Sequence, residues 1–319
     1  MSSYAMNRIE SPPQRRFAGP LLLLAYVLLY AGALFGMVRL GGFEAGEALS
    51  VFAILGVGFS LVAWALTFGL QPLTYEVHHP RGESRALLLY MLPLALFIAY
   101  GFTAVHRWVP GEPADSLAIL AVKLAVFVLI PGRWLASRYG YSVRELAPAS
   151  ARTSHLLVVL GMSAGLLAFQ SLLGRGMRDI SEAHVPGDTL LFGMPLVFLW
   201  LVLEVGVVEE FFFRVLLQTR LAAAVRSELG GIVLASLLFG LVHAPGLYLR
   251  TGATQEGLSA HPSLWMAIGY SIVITSVAGF FFGVLWSRTR NFLLLILVHA
   301  AADLLPNTLP TLRAFHVLK

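Results

Sequence analysis

Long apolar stretches separated by short polar segments run through the whole chain of 319 residues. Most are close to the ~20 residues that a helix needs to cross the hydrocarbon core of a bilayer. Because backbone groups in lipid must satisfy one another, each stretch is predicted to be a helix. The pattern predicts an all-α, polytopic transmembrane bundle of about eight or nine spans. The predicted spans are Ala18–Val38, Leu49–Leu70, Ala86–Val105, Leu117–Ile130, Ser154–Leu173, Leu190–Gln218, Gly230–Leu249, Leu264–Trp286 and Phe292–Leu305.

The polar segments divide this pattern into two parts. The first apolar stretch is longer than the h-region of about 7–15 residues in a cleaved signal peptide, so it is predicted to remain as the first span. The segment Pro131–Thr153 carries four arginines and is predicted to be a helical connector on the cytoplasmic surface. We therefore expect residues 1–153 to hold the N-terminal spans and this connector, and residues 154–319 to form a second helical core.

Composition supports a membrane protein over a soluble one. Hydrophobic residues are 58% of the chain and charged residues 12%, against about 25% charged in soluble domains. The chain has no cysteine, which excludes disulfides, thiolate metal sites and a cysteine nucleophile. The net charge of +5 comes from basic residues scattered between the spans, so no nucleic-acid partner is expected.

The basic residues also predict an orientation in the membrane. Nine spans with a cytoplasmic N-terminus place 13 basic residues inside and 7 outside, as the positive-inside rule expects. Only two of the 22 basic residues are lysine, which favours a bacterial protein of the inner (cytoplasmic) membrane. The inside set is Arg8, Arg15, Arg16, Arg81, Arg85, Arg133, Arg138, Arg144, Arg152, Arg220, Arg226, Arg288 and Arg290. The outside set is Arg39, Arg107, Arg175, Arg178, Arg250, Arg313 and Lys319.

Ionisable side chains within the later spans indicate a functional site. Such a side chain at membrane depth costs roughly 2.5–3.5 kcal/mol on insertion, so a cluster of them points to function. The segment Glu204–Arg214 holds three carboxylates and a guanidinium, and two later spans hold His243 and His299. At about 1.5 Å per residue, Glu209 and both histidines fall at similar depths near the middle of the bilayer. We therefore predict a shared polar cavity within the membrane.

Helical spacing separates the roles of the carboxylates. Residues four apart share a helix face, so Arg214 is expected to neutralise Glu210. Glu209 lies on another face, has no partner in its own helix and is free to act as a base. Glu204 is as consistent with a hydrogen bond between packed helices as with a place in the site.

Each histidine has a neighbour one helical turn away. Phe239 precedes His243 by four residues and is expected to wall one side of the cavity. Asp303 follows His299 by four residues and would orient the imidazole or bind beside it. Lys123, the one lysine in a predicted span, is expected to extend to a membrane interface.

These residues resemble three motifs of the CPBP family, which comprises CaaX proteases and bacteriocin-processing enzymes and is also called the Abi family. The resemblance covers about Leu190–Pro306 and includes the aromatic run Gly279–Gly283. It implies that residues 154–319 are a catalytic core of an intramembrane endopeptidase. The motifs, each in its own span, are Glu209-Glu210-x-x-x-Arg214, Phe239-x-x-x-His243 and His299-x-x-x-Asp303.

The resemblance also implies roles for individual residues. Glu209 and His243 would activate a water, while His299 and Asp303 would line the oxyanion site. Asparagine is the family's commoner residue at the position of Asp303, and an ionised aspartate cannot donate a hydrogen bond to an oxyanion. Asp303 is therefore expected to orient His299 or to be protonated. Glu210 completes the candidate catalytic set.

The sequence is compatible with a mechanism that uses a metal ion and with one that does not. The family is often described as metalloproteases, but the zinc signature His-Glu-x-x-His is absent from this chain. We therefore favour a mechanism without a cofactor. If zinc is bound, the expected ligands are Glu209, His243 and His299.

The expected substrate is a membrane-associated protein or peptide that is cleaved near the cytoplasmic half of the bilayer. Candidates are prenylated C-termini, bacteriocin leaders and hydrophobic sorting anchors. A proton-coupled transporter is the main alternative, because buried carboxylates and histidines also build ion pathways, although no internal repeat is visible. A non-catalytic immunity or partner protein of the membrane is the third.

Overall fold

The computed structural model describes residues 17–249, 258–259 and 261–318, and over this part of the chain the fold is all-helical without strands. The predicted fold class is confirmed: nine described helices are long and apolar enough to cross a membrane. Two short helices, α5 (Val143–Leu146) and α7 (Arg175–Glu182), lie between them. The nine long helices are α1 (Ala18–Gly41), α2 (Ala45–Leu66), α3 (Pro80–Trp108), α4 (Ala114–Tyr139), α6 (Thr153–Leu173), α8 (Gly187–Val225), α9 (Glu228–Leu249), α10 (Leu264–Thr289) and α11 (Phe292–Ala314).

The fourth span is longer than its sequence suggests. The prediction ended it at Ile130 and began a surface connector at Pro131, but α4 continues to Tyr139. A π-helical turn at Leu124–Leu129 ends two residues before Pro131, and its wider winding relieves the clash that a proline ring makes with the preceding turn. The helix ends at Gly140, whose φ of 78° is readily adopted by glycine. The predicted connector helix is thus reduced to the single turn of α5.

Consecutive spanning helices run in opposite directions, so their ends gather at two opposite ends of the bundle. We call the end that holds the starts of α1, α3, α9 and α11 the Arg220 end, and the end that holds the starts of α2, α4, α8 and α10 the Trp108 end. At the Arg220 end, Arg290 pairs with Glu228 and Ser150 bonds Asn291. At the Trp108 end, the His316 ring nitrogen contacts the carbonyl oxygen of Glu112 at 2.8 Å.

A buried ion cluster closes the Arg220 end. Arg220 Nε donates to Glu83 Oε2 at 2.9 Å, and both side chains are fully buried. The Tyr141 hydroxyl donates to both Glu83 oxygens at 2.9 Å, and Arg220 Nη1 donates to the Tyr75 hydroxyl at 2.5 Å. Burial raises the pKa of Tyr75 and of Tyr141 above the usual range, so both phenols stay protonated and Tyr141 keeps the proton that it donates to Glu83. Arg220 was predicted to be a cytoplasmic cation, but it is an internal ion-pair partner that joins α3 to α8.

The N-terminal helices pack directly on the later ones. Helix α1 packs on α9, and α2 packs on α10, whereas α3 packs on α8 and α9. One apolar core contains Phe59 of α2, Leu94 of α3 and Phe127 of α4 together with Phe213 of α8. A cavity lies between the group formed by α2 and α10 and the group formed by α3 and α4. The division into residues 1–153 and 154–319 stays a prediction.

Candidate functional site

The two adjacent carboxylates of α8 occupy different environments. Glu210 is fully buried, whereas the side chain of Glu209 is 19% exposed. Two π-helical segments, Val202–Val207 and Phe211–Gln218, flank them. Such segments are frequent at functional sites, because the extra residue in the turn changes the direction of the side chains that follow it.

Glu210 is held by two partners. Its Oε2 lies 3.3 Å from Arg214 Nε, as the spacing of four residues predicts. Its Oε1 accepts a 2.5 Å hydrogen bond from His299 Nδ1, a contact between α8 and α11 that the spacing does not predict. The His299 ring also stacks on Phe282 with its centroid at 4.2 Å. Glu210 therefore fixes the orientation of His299, a role that the sequence offered to Asp303.

Arg214 lies in an aromatic cage. Its guanidinium is buried over the Phe239 ring at 4.4 Å and lies 5.8 Å from the centroid of Phe282. Phe239 also meets the His243 ring edge-on at 4.9 Å. Phe239 thus supports His243 and covers Arg214, and it does not border the large cavity in which it was expected to form a wall.

Glu209 lies between the two histidines. Its Oε1 is 3.8 Å from His243 Nε2, and its Oε2 is 3.9 Å from His299 Nε2. The Nδ1 of His243 is 2.7 Å from the carbonyl oxygen of Phe239. Because a carbonyl only accepts, Nδ1 carries the proton, and in the neutral ring Nε2 presents its lone pair towards Glu209. The Glu209 carboxylate and the His243 imidazole are therefore far enough apart to share one bridging water molecule.

Asp303 completes the cluster at its edge. Its Oδ2 is 3.8 Å from His299 Nε2, and its side chain is 35% exposed. It lies beside the imidazole, on the side opposite to Glu210. All five candidate catalytic residues are therefore neighbours, although they come from three helices.

A cavity of about 950 Å³ reaches this cluster from the Trp108 end. Glu209 and His243 line it inside the bundle, and His106 and Leu249, which are exposed, line it near the ends of α3 and α9. Its walls come from α2, α3, α4, α8, α9 and α10, so the N-terminal spans form part of it. Apolar side chains dominate the lining and include Leu55, Phe102, Phe127, Phe213, Val242 and Ile274.

The position of Lys123 differs from the one predicted. It was expected to extend to a membrane interface, but its Nζ pairs with Glu204 Oε1, and Lys123 lines the cavity. The pair joins α4 to α8 across 81 positions of sequence. The sequence of an apolar span with a single lysine does not indicate which helix supplies the partner of that lysine. This contact could therefore not be predicted from the sequence.

The expected zinc ligands lie further apart than a tetrahedral zinc ion holds its ligand atoms. Tetrahedral zinc with bonds of about 2.0–2.2 Å holds its ligand atoms roughly 3.4 Å apart. The two imidazole Nε2 atoms are 3.8 and 3.9 Å from different oxygens of Glu209. Within the described part of the chain, no group of three or more His, Cys, Asp or Glu side chains has an arrangement that could hold a metal ion.

The fold and the cluster define an integral, multi-pass membrane protein with buried carboxylates and imidazoles at the inner end of an apolar cavity. Residues 191–305, which run from α8 into α11, match the family described as Type II CAAX prenyl endopeptidase Rce1-like. This part of the chain is similar to that protease family, and the match agrees with the resemblance to CPBP proteases. The helices α1–α7 lie outside the match. Neither a curated protein nor a solved structure matches the chain.

Proposed function

We propose that the protein is an intramembrane endopeptidase that hydrolyses membrane-associated proteins or peptides with a water activated by Glu209 and His243. The observation that carries this proposal is the Glu209 carboxylate held between two imidazole nitrogens at 3.8 and 3.9 Å where an apolar cavity ends. The match to a protease family over the same residues supports it.

The geometry suits a water that donates both of its protons. A water about 2.8 Å from Glu209 Oε1 and from His243 Nε2 bridges the 3.8 Å between them and keeps an oxygen lone pair free for attack. Glu209 takes one proton as the water oxygen bonds to the substrate carbonyl carbon. When the C–N bond breaks, the same proton passes to the leaving amine nitrogen, so the carboxylate is regenerated.

In this mechanism His299 stabilises the oxyanion that forms in the first step. Glu210 holds its Nδ1–H, so Nε2 is fixed on the other side of Glu209 from His243. An Nε2–H donor requires the imidazolium form. Glu210 and Asp303, on opposite sides of the ring, compensate that positive charge. Asp303 then acts as an ionised neighbour of His299 and not as the oxyanion donor.

The proposed mechanism uses no cofactor. Its test is the cleavage rate of purified protein before and after prolonged dialysis against a zinc chelator, together with elemental analysis of the same sample. Unchanged activity in metal-free protein is the expected result. A loss that added zinc alone restores would overturn the metal-free step.

The cavity lining favours an extended apolar segment as substrate. Prenylated C-termini, bacteriocin leaders and hydrophobic sorting anchors all share this character. We favour processing or sorting of bacterial membrane peptides, because the composition of the chain favours a bacterial source.

The decisive experiment replaces Glu209 by glutamine, which keeps the shape and removes the base. Glu228→Gln is the matched control, because Glu228 lies at the Arg220 end and is 52% exposed. Terminal-peptide mass spectrometry of membranes from cells with each variant would identify uncut substrate, and a peptide spanning the cleaved bond would be assayed in proteoliposomes. We expect Glu209→Gln to lose about 10²–10⁴-fold in kcat. Normal cleavage by a folded Glu209→Gln protein would refute the role of Glu209.

A further inference from the structure

We propose that the Lys123–Glu204 ion pair is a positioning device for Glu209, supplied in part by a helix outside the protease-family match. The inference rests on the proposed function. It adds a residue of α4 to an active site whose other members come from α8, α9 and α11.

Both residues of the pair lie within or next to a π-helical segment of their helix. Glu204 is within the π-helical segment Val202–Val207, and Lys123 directly precedes the π-helical segment Leu124–Leu129. These two segments pack against each other. Glu204 is five residues before Glu209, which is about 7.5 Å along the helix axis.

A π-helical segment controls the direction of the residues that follow it. It contains one residue more per turn than an α-helix, and each residue of an α-helix turns by about 100°. If Val202–Val207 rewound as regular α-helix, Glu209 would rotate by about that angle relative to the start of α8. The carboxylate would then turn away from His243. An ion pair anchored inside the segment opposes such rewinding.

The energetics favour a geometric role over simple stabilisation. Removing two charges from water offsets most of their mutual attraction, and apolar side chains of similar size often stabilise a buried contact as well or better. Two ionised groups at membrane depth are costly to insert. Both side chains are about one-fifth exposed, and Lys123 lines the cavity that Glu209 also lines. A direction-specific contact is what an ion pair supplies and an apolar contact does not.

Another basic side chain near the mouth of this cavity has a different partner. His106 lies 2.6 Å from Asp115, near the Trp108 end of the cavity. Lys123 is the lysine among the residues that line the cavity, and its partner Glu204 lies on the helix of Glu209. The competing interpretation is that Lys123 binds a carboxylate of the substrate. Substrates with and without a C-terminal carboxylate distinguish this role from positioning of Glu209.

The test is a charge exchange in full-length protein in proteoliposomes. The variants are Lys123→Met, Glu204→Gln and the double exchange Lys123→Glu with Glu204→Lys; Glu228→Gln, which breaks the distant pair with Arg290, is the control. Each is assayed on one peptide substrate made with a free C-terminal carboxylate and with a C-terminal amide. Thermal midpoints are measured on the same samples.

We expect each single variant to lose roughly tenfold or more in kcat with KM within about twofold, because a misplacement of 1 Å can cost about 10² in rate. The double exchange should recover most of the loss, and the two peptides should respond alike. A wild-type kcat in folded single variants would overturn the inference. So would a rise in KM confined to the free-carboxylate peptide and not repaired by the exchange, since it would assign Lys123 to substrate binding. If wild type cleaves nothing and Glu209→Gln cells accumulate no uncut substrate, the proposed function fails instead.

Discussion

Glu210 accepts a hydrogen bond of 2.5 Å from His299 Nδ1 and also faces Arg214 at 3.3 Å. One buried carboxylate therefore orients the imidazole and neutralises the guanidinium. The neighbouring Glu209 instead lies 3.8 and 3.9 Å from the Nε2 atoms of His243 and His299 and lines the cavity. Two adjacent acids of the same type thus have different surroundings because they lie on different faces of the helix, and in the proposed mechanism Glu210 supports while Glu209 reacts.

Replacing Glu210 by glutamine should slow catalysis without removing the base. The amide still fills the site, but it no longer compensates the imidazolium of His299, and we expect about a 10–100-fold lower kcat. Arg214 also loses its counter-ion, so stability should fall. The double variant Glu210→Gln with Arg214→Met removes that uncompensated charge. It should recover thermal stability but not kcat, and recovery of both would show that Glu210 serves Arg214 alone.

Gly206 sets the distance between α8 and α11. A Cβ atom at this position would lie 2.8 Å from the carbonyl oxygen of Ile296, a backbone atom that cannot turn aside. Ile296 is three residues before His299, so Gly206→Ala should push His299 away from Glu209. We expect a destabilisation of about 1–3 kcal/mol and a loss of activity.

The matched control is Gly32→Ala in α1, where a Cβ meets nothing within 4 Å. It should be neutral or stabilise the helix by up to about 1 kcal/mol. Chemical unfolding in detergent and kcat on a peptide substrate are the two measurements. Equal behaviour of the two alanine variants would contradict the close approach of α8 to α11.

The sequence predicted those parts of the site that depend on local spacing or on depth. The Glu210–Arg214 pair follows from a spacing of four residues, and the meeting of Glu209 with two histidines follows from their common depth. The Lys123–Glu204 and Glu83–Arg220 pairs join residues 81 and 137 positions apart. Helix lengths and hydrophobicity do not specify which helices are neighbours, so these pairs were not predictable. The π-helical segments also leave the apolar pattern almost unchanged.

The Glu83–Arg220 pair should matter to stability more than to chemistry. Arg220→Met leaves a buried Glu83 with no counter-ion, and breaking a buried pair in this way costs about 3–5 kcal/mol. The double variant Glu83→Leu with Arg220→Met should recover most of that loss, as measured by chemical unfolding in detergent. A single variant as stable as wild type would show that the tyrosines alone hold the Arg220 end together.

The side of the membrane from which substrate enters depends on the position of the cavity and on the orientation of the protein. The arginine distribution predicts a cytoplasmic Arg220 end, yet the cavity reaches towards the Trp108 end. A cytoplasmic N-terminus and cleavage from the cytoplasmic half of the bilayer are therefore incompatible expectations. If the arginine distribution holds, substrates reach Glu209 from the opposite side of the membrane.

Because the chain has no cysteine, single cysteines can report the orientation without background. Ser137, near the end of α4, and Ser181 in α7 are both exposed serines at opposite ends of the bundle. With a cytoplasmic Arg220 end, a membrane-impermeant maleimide should label Ser181→Cys in intact cells and Ser137→Cys only after lysis. The reverse pattern would refute the predicted orientation and open the cavity to the cytoplasm. Retained cleavage by both variants would show that the labelled proteins are folded, so either pattern identifies the compartment from which substrates enter.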